Sequence, residues 1–234
     1  MRNLLACTCL TPVLLIAAGA ASSSHAETVV SSKTTNRMNT STAKPGGDSI
    51  TIATAGSVVP AGAGAAVTID SNHAVKNDGT ITITDASDST GILANPGTAS
   101  TITNNGKIEI VETYAPADGD KDGDLDGAFA SGARRYGIRL APGGTFTGNI
   151  VNAGTINVEG NESAGIAADS RLAGALTSSG TISVTGDRSA GIRASEVTGD
   201  VRITGGVTAQ GKDSIGIDLS GPIGGALVIQ SAVT

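Results

Sequence analysis

One short phrase recurs along this chain, and its recurrence restricts the fold more than any other feature. Asn77-Asp78-Gly79-Thr80-Ile81-Thr82-Ile83 returns as Asn104-Asn105-Gly106-Lys107-Ile108-Glu109-Ile110 and as Asn152-Ala153-Gly154-Thr155-Ile156-Asn157-Val158. It returns again as Ser178-Ser179-Gly180-Thr181-Ile182-Ser183-Val184, with a weaker copy at Gly205-Gly206-Val207-Thr208-Ala209. A second phrase, Ser-x-Gly-Ile, runs from Ser89 to Ile92, Ser163 to Ile166, Ser189 to Ile192 and Ser214 to Ile217, and Arg135-Tyr136-Gly137-Ile138 is its degenerate copy. A third apolar position precedes each opening glycine by four residues: Val75, Ile102, Ile150, Leu176 and Val201. The period, about 25–26 residues, lies in the range of solenoid repeats.

Each unit therefore holds three short segments separated by Gly, Asn or Ser turns. Alternation within Gly-Thr-Ile-Thr-Ile places both isoleucines on one face of a strand and the threonines on the other. From Glu27 onward the chain has 35 Ile and Val against 7 Leu, which favours strand over helix. An antiparallel sandwich also uses Asn-Gly turns but has no reason to repeat one turn at one phase. A parallel β-solenoid does, because like positions stack on like. Composition agrees: four aromatic residues and no tryptophan in 234 residues exclude a core built on large rings, which bury the most area per residue. Columns of Ile, Val and Ala must supply it instead. With 39% apolar and 15% charged residues the chain is not a disordered acidic tail, and its net charge of −6 argues against a nucleic-acid partner.

The first 26 residues read differently. Arg2 precedes an apolar run from Leu4 to Ala20, and Ser24-His25-Ala26 offers a small-residue cleavage triplet before Glu27, the pattern of a secretory signal peptide. Both cysteines, Cys7 and Cys9, lie within it, so the mature chain is expected to carry no thiol and to rely on packing and backbone pairing alone. Residues 27–48, rich in Ser, Thr, Asn and Lys and without periodicity, are expected to form a flexible leader, with the solenoid occupying 49–234.

A signal peptide, a Ser/Thr-rich leader, and coils marked by Asn-Asn-Gly-x-Ile and Ser-x-Gly-Ile together resemble the N-terminal passenger of a Gram-negative autotransporter. Asp48-Ser-Ile-Thr-Ile and Ala66-Val-Thr-Ile-Asp70 resemble its first, capping coils. The resemblance covers nearly the whole chain as a style of repeat. It implies an all-β, right-handed, single-stranded parallel β-helix, exported through the inner membrane and displayed at the outer membrane, the cell surface or outside the cell. It also implies a C-terminal outer-membrane β-barrel as partner, which is not present in this chain; no segment shows a barrel's aromatic girdles and alternating ten-residue strands. The final residues, from Leu227 to Thr234, are expected to belong to an unfinished coil of a longer rod. A surface glycan or protein ligand is the expected contact of such a rod, through a structural or adhesive role.

Catalysis is not expected in this region. A nucleophile needs a base beside it, and the only histidine after Ala26, His73, falls at a corner that is glycine in later coils. Sugar-cleaving β-helices cluster carboxylates on one outer face; here Asp88, Glu162 and Asp213 share a column, but Arg134 and Arg188 alternate with them, as charge pairing requires. Two other readings stay open at this point: a polysaccharide-active β-helix whose catalytic face lies outside the chain, and a β-helical exoprotein secreted through a separate outer-membrane partner.

One segment breaks the period. About twenty extra residues, near 112–132, separate Ile110 from Gly137 and carry five alternating aspartates. Asp118, Asp120, Asp122, Asp124 and Asp126 follow the opening of a D-x-D-x-D-G calcium loop, in which alternate aspartates around a glycine turn supply hard oxygens. The closing glutamate position holds Phe129 or Ala133, so an EF-hand is not expected and calcium would bind weakly. Tyr114, Phe129, Tyr136 and Phe146, all the aromatic residues, fall in or beside this insertion.

Overall fold

The computed structural model describes residues 27–123 and 126–234, and the expected signal peptide lies outside the described residues. Every regular element among them is a β-strand, and every ladder between strands is parallel. Three long sheets of eight, seven and seven strands run side by side. The first extends from Thr28–Val30 to Leu227–Ile229, the second from Lys33–Thr34 to Val207–Gln210, and the third from Met38–Asn39 to Ile215–Leu219. The chain visits each sheet in turn and then pairs with its own previous coil, which makes the molecule a β-solenoid.

The repeat phrases are the coils in register. Val75, Ile102, Ile150, Leu176 and Val201 stack in the first sheet. Ile81, Ile108, Ile156, Ile182 and Val207 stack in the second. Ile92, Ile138, Ile166, Ile192 and Ile217 stack in the third. All are buried except Ile217, half-buried on the outermost strand of its sheet. At about 1.5–3 kcal/mol per buried branched side chain, such columns offset the ordering of the backbone without large rings. A fourth column, Phe146, Leu172, Val197 and Ile223, closes the side between the third and first sheets. Phe146 therefore belongs to the core, fully buried, and not to the insertion beside which the sequence places it.

Glycine in the first phrase is a packing requirement. A Cβ on Gly106 would run into the carbonyl oxygen of Gly79, one on Gly154 into that of Gly106, and one on Gly180 into that of Gly154. Coils at this corner approach too closely for any side chain. The adjoining asparagines turn inward: Asn77 Nδ2 donates to Asn104 Oδ1 at 2.7 Å, and Asn104 Nδ2 donates to Asn152 Oδ1 at 2.8 Å. Asn152 Nδ2 then reaches Ser178 Oγ at 3.2 Å. These links span 27, 48 and 26 residues, and the long one is the coil with the insertion.

Residues 27–48 depart from the flexible leader expected for them. Thr28, Val29 and Val30 pair with Ile50, Thr51 and Ile52, while Lys33–Thr34 and Met38–Asn39 open the second and third sheets. The solenoid thus begins at Thr28, not at residue 49. Local periodicity is absent here because the segment is ordered from outside. Val30 is buried against the first-sheet column, and Asp48 accepts from Thr28 Oγ1 at 2.8 Å and pairs with Lys44 Nζ at 2.7 Å.

Candidate functional site

The insertion leaves the second sheet after Val111 and enters the third at Arg135. Its two ends are joined by an ion pair that the chain buries almost completely: Glu112 and Arg135 side chains are each 2% exposed, 2.7 Å apart. Glu112 also accepts from the backbone N–H of Ser131 and Gly132 at 2.7 and 2.8 Å and from Ser131 Oγ at 3.0 Å. Arg135 also donates from Nε to the Ala86 carbonyl and from Nη1 to the Glu159 carbonyl. Burial alone would raise the Glu112 carboxyl; the two N–H groups and the guanidinium outweigh it and hold the group below the usual carboxylate range. Arg135 stands where other coils have the serine of Ser-x-Gly-Ile, in register with Ser89. Those serines have a structural task as well, since Ser163 Oγ accepts from Arg135 N and Ser189 Oγ from Ser163 N.

Beyond this clasp the loop folds on its own aspartates. Asp118, Asp120 and Asp126 each bring a carboxylate oxygen within 4.8 Å of the others. Asp126 Oδ2 accepts from Gly119 N at 2.7 Å and Asp120 N at 3.3 Å, and Asp118 Oδ2 from Gly123 N at 3.2 Å. Asp118 Oδ1 is buried and has no hydrogen-bond partner among the described residues. Of the five aspartates expected as calcium ligands, three are brought together. Asp122 donates its N–H to Asp120 Oδ1 at 3.3 Å, and Asp124 lies outside the described residues.

The stem of the loop leans on the outer surface of the second sheet. Tyr114, Pro116 and Phe129 wall a groove of about 360 Å³ floored by Glu159, Thr185 and Gln210, successive outward rungs of the sheet. Tyr114 Oη donates to Ala128 O at 2.7 Å, which sets the ring across the loop.

The alternating charge column takes the form expected of it. Arg134 binds Asp88 with Nε and Nη2, at 2.6 and 2.9 Å, and Arg188 binds Glu162 at 2.8 Å. Asp88, Arg134, Glu162, Arg188 and Asp213 all turn the corner with φ between 51 and 57°. The hydrogen bonds from Arg134 and Arg188 hold the Asp88 and Glu162 carboxyls below the usual carboxylate range, so both stay charged. His73 sits at its corner with Nδ1 3.0 Å from Ser71 Oγ.

One cluster was missed in the sequence. On the outer surface of the third sheet, Arg139 lies over the Tyr136 ring at 4.2 Å and Arg193 at 5.3 Å. Asp169 accepts from Arg139 Nε and Arg193 Nε, both at 2.8 Å. Desolvation raises the Asp169 carboxyl, and the hydrogen bonds and charge of Arg193 and Arg139 overcome it, keeping the group low. Arg139 and Arg193 flank Ala167 in one outward column, so the only signal in the sequence was their shared phase in the repeat.

Compared with known protein families, residues 15–210 match the BigA third pectate lyase-like domain. No curated protein and no solved structure matches the chain.

Proposed function

The chain belongs to the family of the BigA third pectate lyase-like domain, and from that premise we propose that it is a rigid segment of an autotransporter-type bacterial surface protein. In this reading the solenoid is a non-catalytic stalk, and the insertion at 112–134 is the element it holds out for contact. The observation that carries the reading is the clasp. A buried Glu112–Arg135 pair closes the stem and fixes both ends of the loop to the scaffold. The outward carboxylates support the non-catalytic role, since Asp88, Glu162 and Asp169 are engaged by arginines and stay ionised, unsuited to general acid catalysis. The test is to display the chain on a bacterium and to replace residues 114–130 with a Gly-Ser linker. Attachment to a target surface should fall to background while the unfolding midpoint of the purified protein is kept. Equal attachment with and without the loop removes it as the contact element. The competing polysaccharide-cleaving reading is checked on the same protein by the release of reducing or unsaturated ends from polygalacturonate; release would overturn the stalk.

We further propose that calcium fills the aspartate cluster. Three carboxylates so close repel one another, and the buried, unpartnered Asp118 Oδ1 lacks the donor or cation that such an atom requires. Affinity should lie at about 10⁻⁴–10⁻³ M, as in extracellular modules. Calorimetric titration should give saturable heat that Asp118→Asn with Asp126→Asn abolishes; equal heats from both proteins would leave only solvated charge.

A further inference from the structure

The geometry points to the groove between the insertion and the second sheet as a binding site for a neutral oligosaccharide, a proposal that rests on the contact role of the loop. Its wall and floor differ in kind. The wall is aromatic and ring-like: Tyr114 is 39% exposed, yet its hydroxyl is tied to Ala128 O, so a flat face is held still toward the groove. Phe129 and Pro116 continue it. The floor is polar and unspent, because Thr185 Oγ1 and the Gln210 amide make no hydrogen bond among the described residues. Rigid apolar rings beside unpaired hydroxyl and amide groups match a pyranose, whose axial C–H faces stack on rings while its equatorial hydroxyls seek donors and acceptors.

The spacing and charge narrow the choice. Glu159, Thr185 and Gln210 occupy one column on consecutive coils, so the polar groups repeat at about the 4.8 Å separation of paired strands. A linear sugar chain advances by a similar length per ring, and would meet one floor group per residue. Glu159 carries a negative charge there and has spent one oxygen on the N–H of Glu112, at 2.9 Å. Among the described residues no lysine or arginine lines the groove, so a uronic acid polymer would meet repulsion with nothing to compensate it, and the ligand is neutral. A peptide is disfavoured because the floor is the face of a sheet: its N–H and C=O groups are committed to the coils above and below, leaving no edge for strand addition.

The experiment is calorimetric titration of the chain from residue 27 to 234 with cellohexaose, maltohexaose, chitin hexasaccharide and hexagalacturonate. At least one neutral probe should bind, and hexagalacturonate should bind more weakly than it. Gln210→Ala lies on the sheet, away from the loop's own contacts, and should weaken binding by about tenfold. Tyr114→Ala should do the same, while Tyr114→Phe, which keeps the ring, should retain most of the affinity. The proposal is overturned if no neutral probe gives heat, if Gln210→Ala and Tyr114→Ala both bind as the parent does, or if hexagalacturonate binds as well as the neutral chains. Silent titrations combined with loss of attachment on loop replacement would overturn the sugar ligand alone and leave the displayed loop standing.

Discussion

At the scale of the residue, the asparagine ladder shows how a polar side chain becomes part of a core. Asn77, Asn104 and Asn152 are fully buried, and each satisfies the next coil through its side-chain amide. Ile52 and Ile203 occupy the same column at the two ends. Asn77 Oδ1 consequently has no donor, since its neighbour on that side is Ile52. The ladder therefore has an internal and a terminal kind of rung. Asn104→Leu strands the carbonyl of Asn152 and a donor of Asn77, and should cost about 1–3 kcal/mol for each group left unpaired. Asn77→Leu strands only the side-chain carbonyl of Asn104 and removes an Oδ1 that is already orphaned, so it should cost less. Urea unfolding of the two variants checks the order, and a larger loss from Asn77→Leu would contradict the ladder as the source of stability. The asparagines were legible as turn residues from their place before glycine. That their side chains point inward was not, because an Asn-Gly turn is compatible with either direction until the neighbouring coil is in place.

At the scale of the element, the insertion is the one place where the repeat was altered and the fold adjusted to it. Arg135 replaces a motif serine and Glu112 begins the loop, and the pair closes 23 residues of chain. Because the Glu112 carboxyl is held low in the folded protein, its contribution is complete above its unfolded value, about pH 4.3. It is lost as the pH falls through the folded value. At neutral pH, Glu112→Gln leaves Arg135 buried without a counter-charge and should cost about 3–5 kcal/mol. In acid the parent loses the same pair by protonation, so the gap between parent and variant should narrow below about pH 4. A gap in urea midpoints that stays constant from pH 7 to about pH 3 would mean the pair is not held as ions. The length of the insertion and its aspartates were plain in the sequence. Its clasp was not, since Glu112 and Arg135 have no motif and meet only when the coil closes.

At the scale of the whole molecule, each coil contacts mainly its two neighbours, so the rod should tolerate loss of one coil if the phase is kept. Leu176 pairs with Val201, and excising residues 176–200 joins register-equivalent points. The shortened protein should fold and unfold cooperatively with a modestly lower midpoint, by circular dichroism and gel filtration. Excising residues 176–187 instead should abolish folding, because it sets outward positions against the core columns. Failure of the full-coil deletion would show long-range dependence that a solenoid does not have. The sequence by itself determined the solenoid, the phase of its three main columns and the site of the insertion, because stacked coils put the same environment at each period and select the same residue type there. Even the fourth column was written in it: Phe146, Leu172, Val197 and Ile223 each precede a first-sheet residue by four. Only the tertiary structure decided that residues 27–48 belong to the rod, that three of the aspartates converge, that Arg139, Asp169 and Arg193 gather on Tyr136, and that the loop stem makes a groove with Thr185 and Gln210. Each of these depends on contacts between residues far apart in the chain; where partners share a phase of the repeat, as Arg139 with Arg193 and Thr185 with Gln210 do, the phase places them in one column but not what gathers on it.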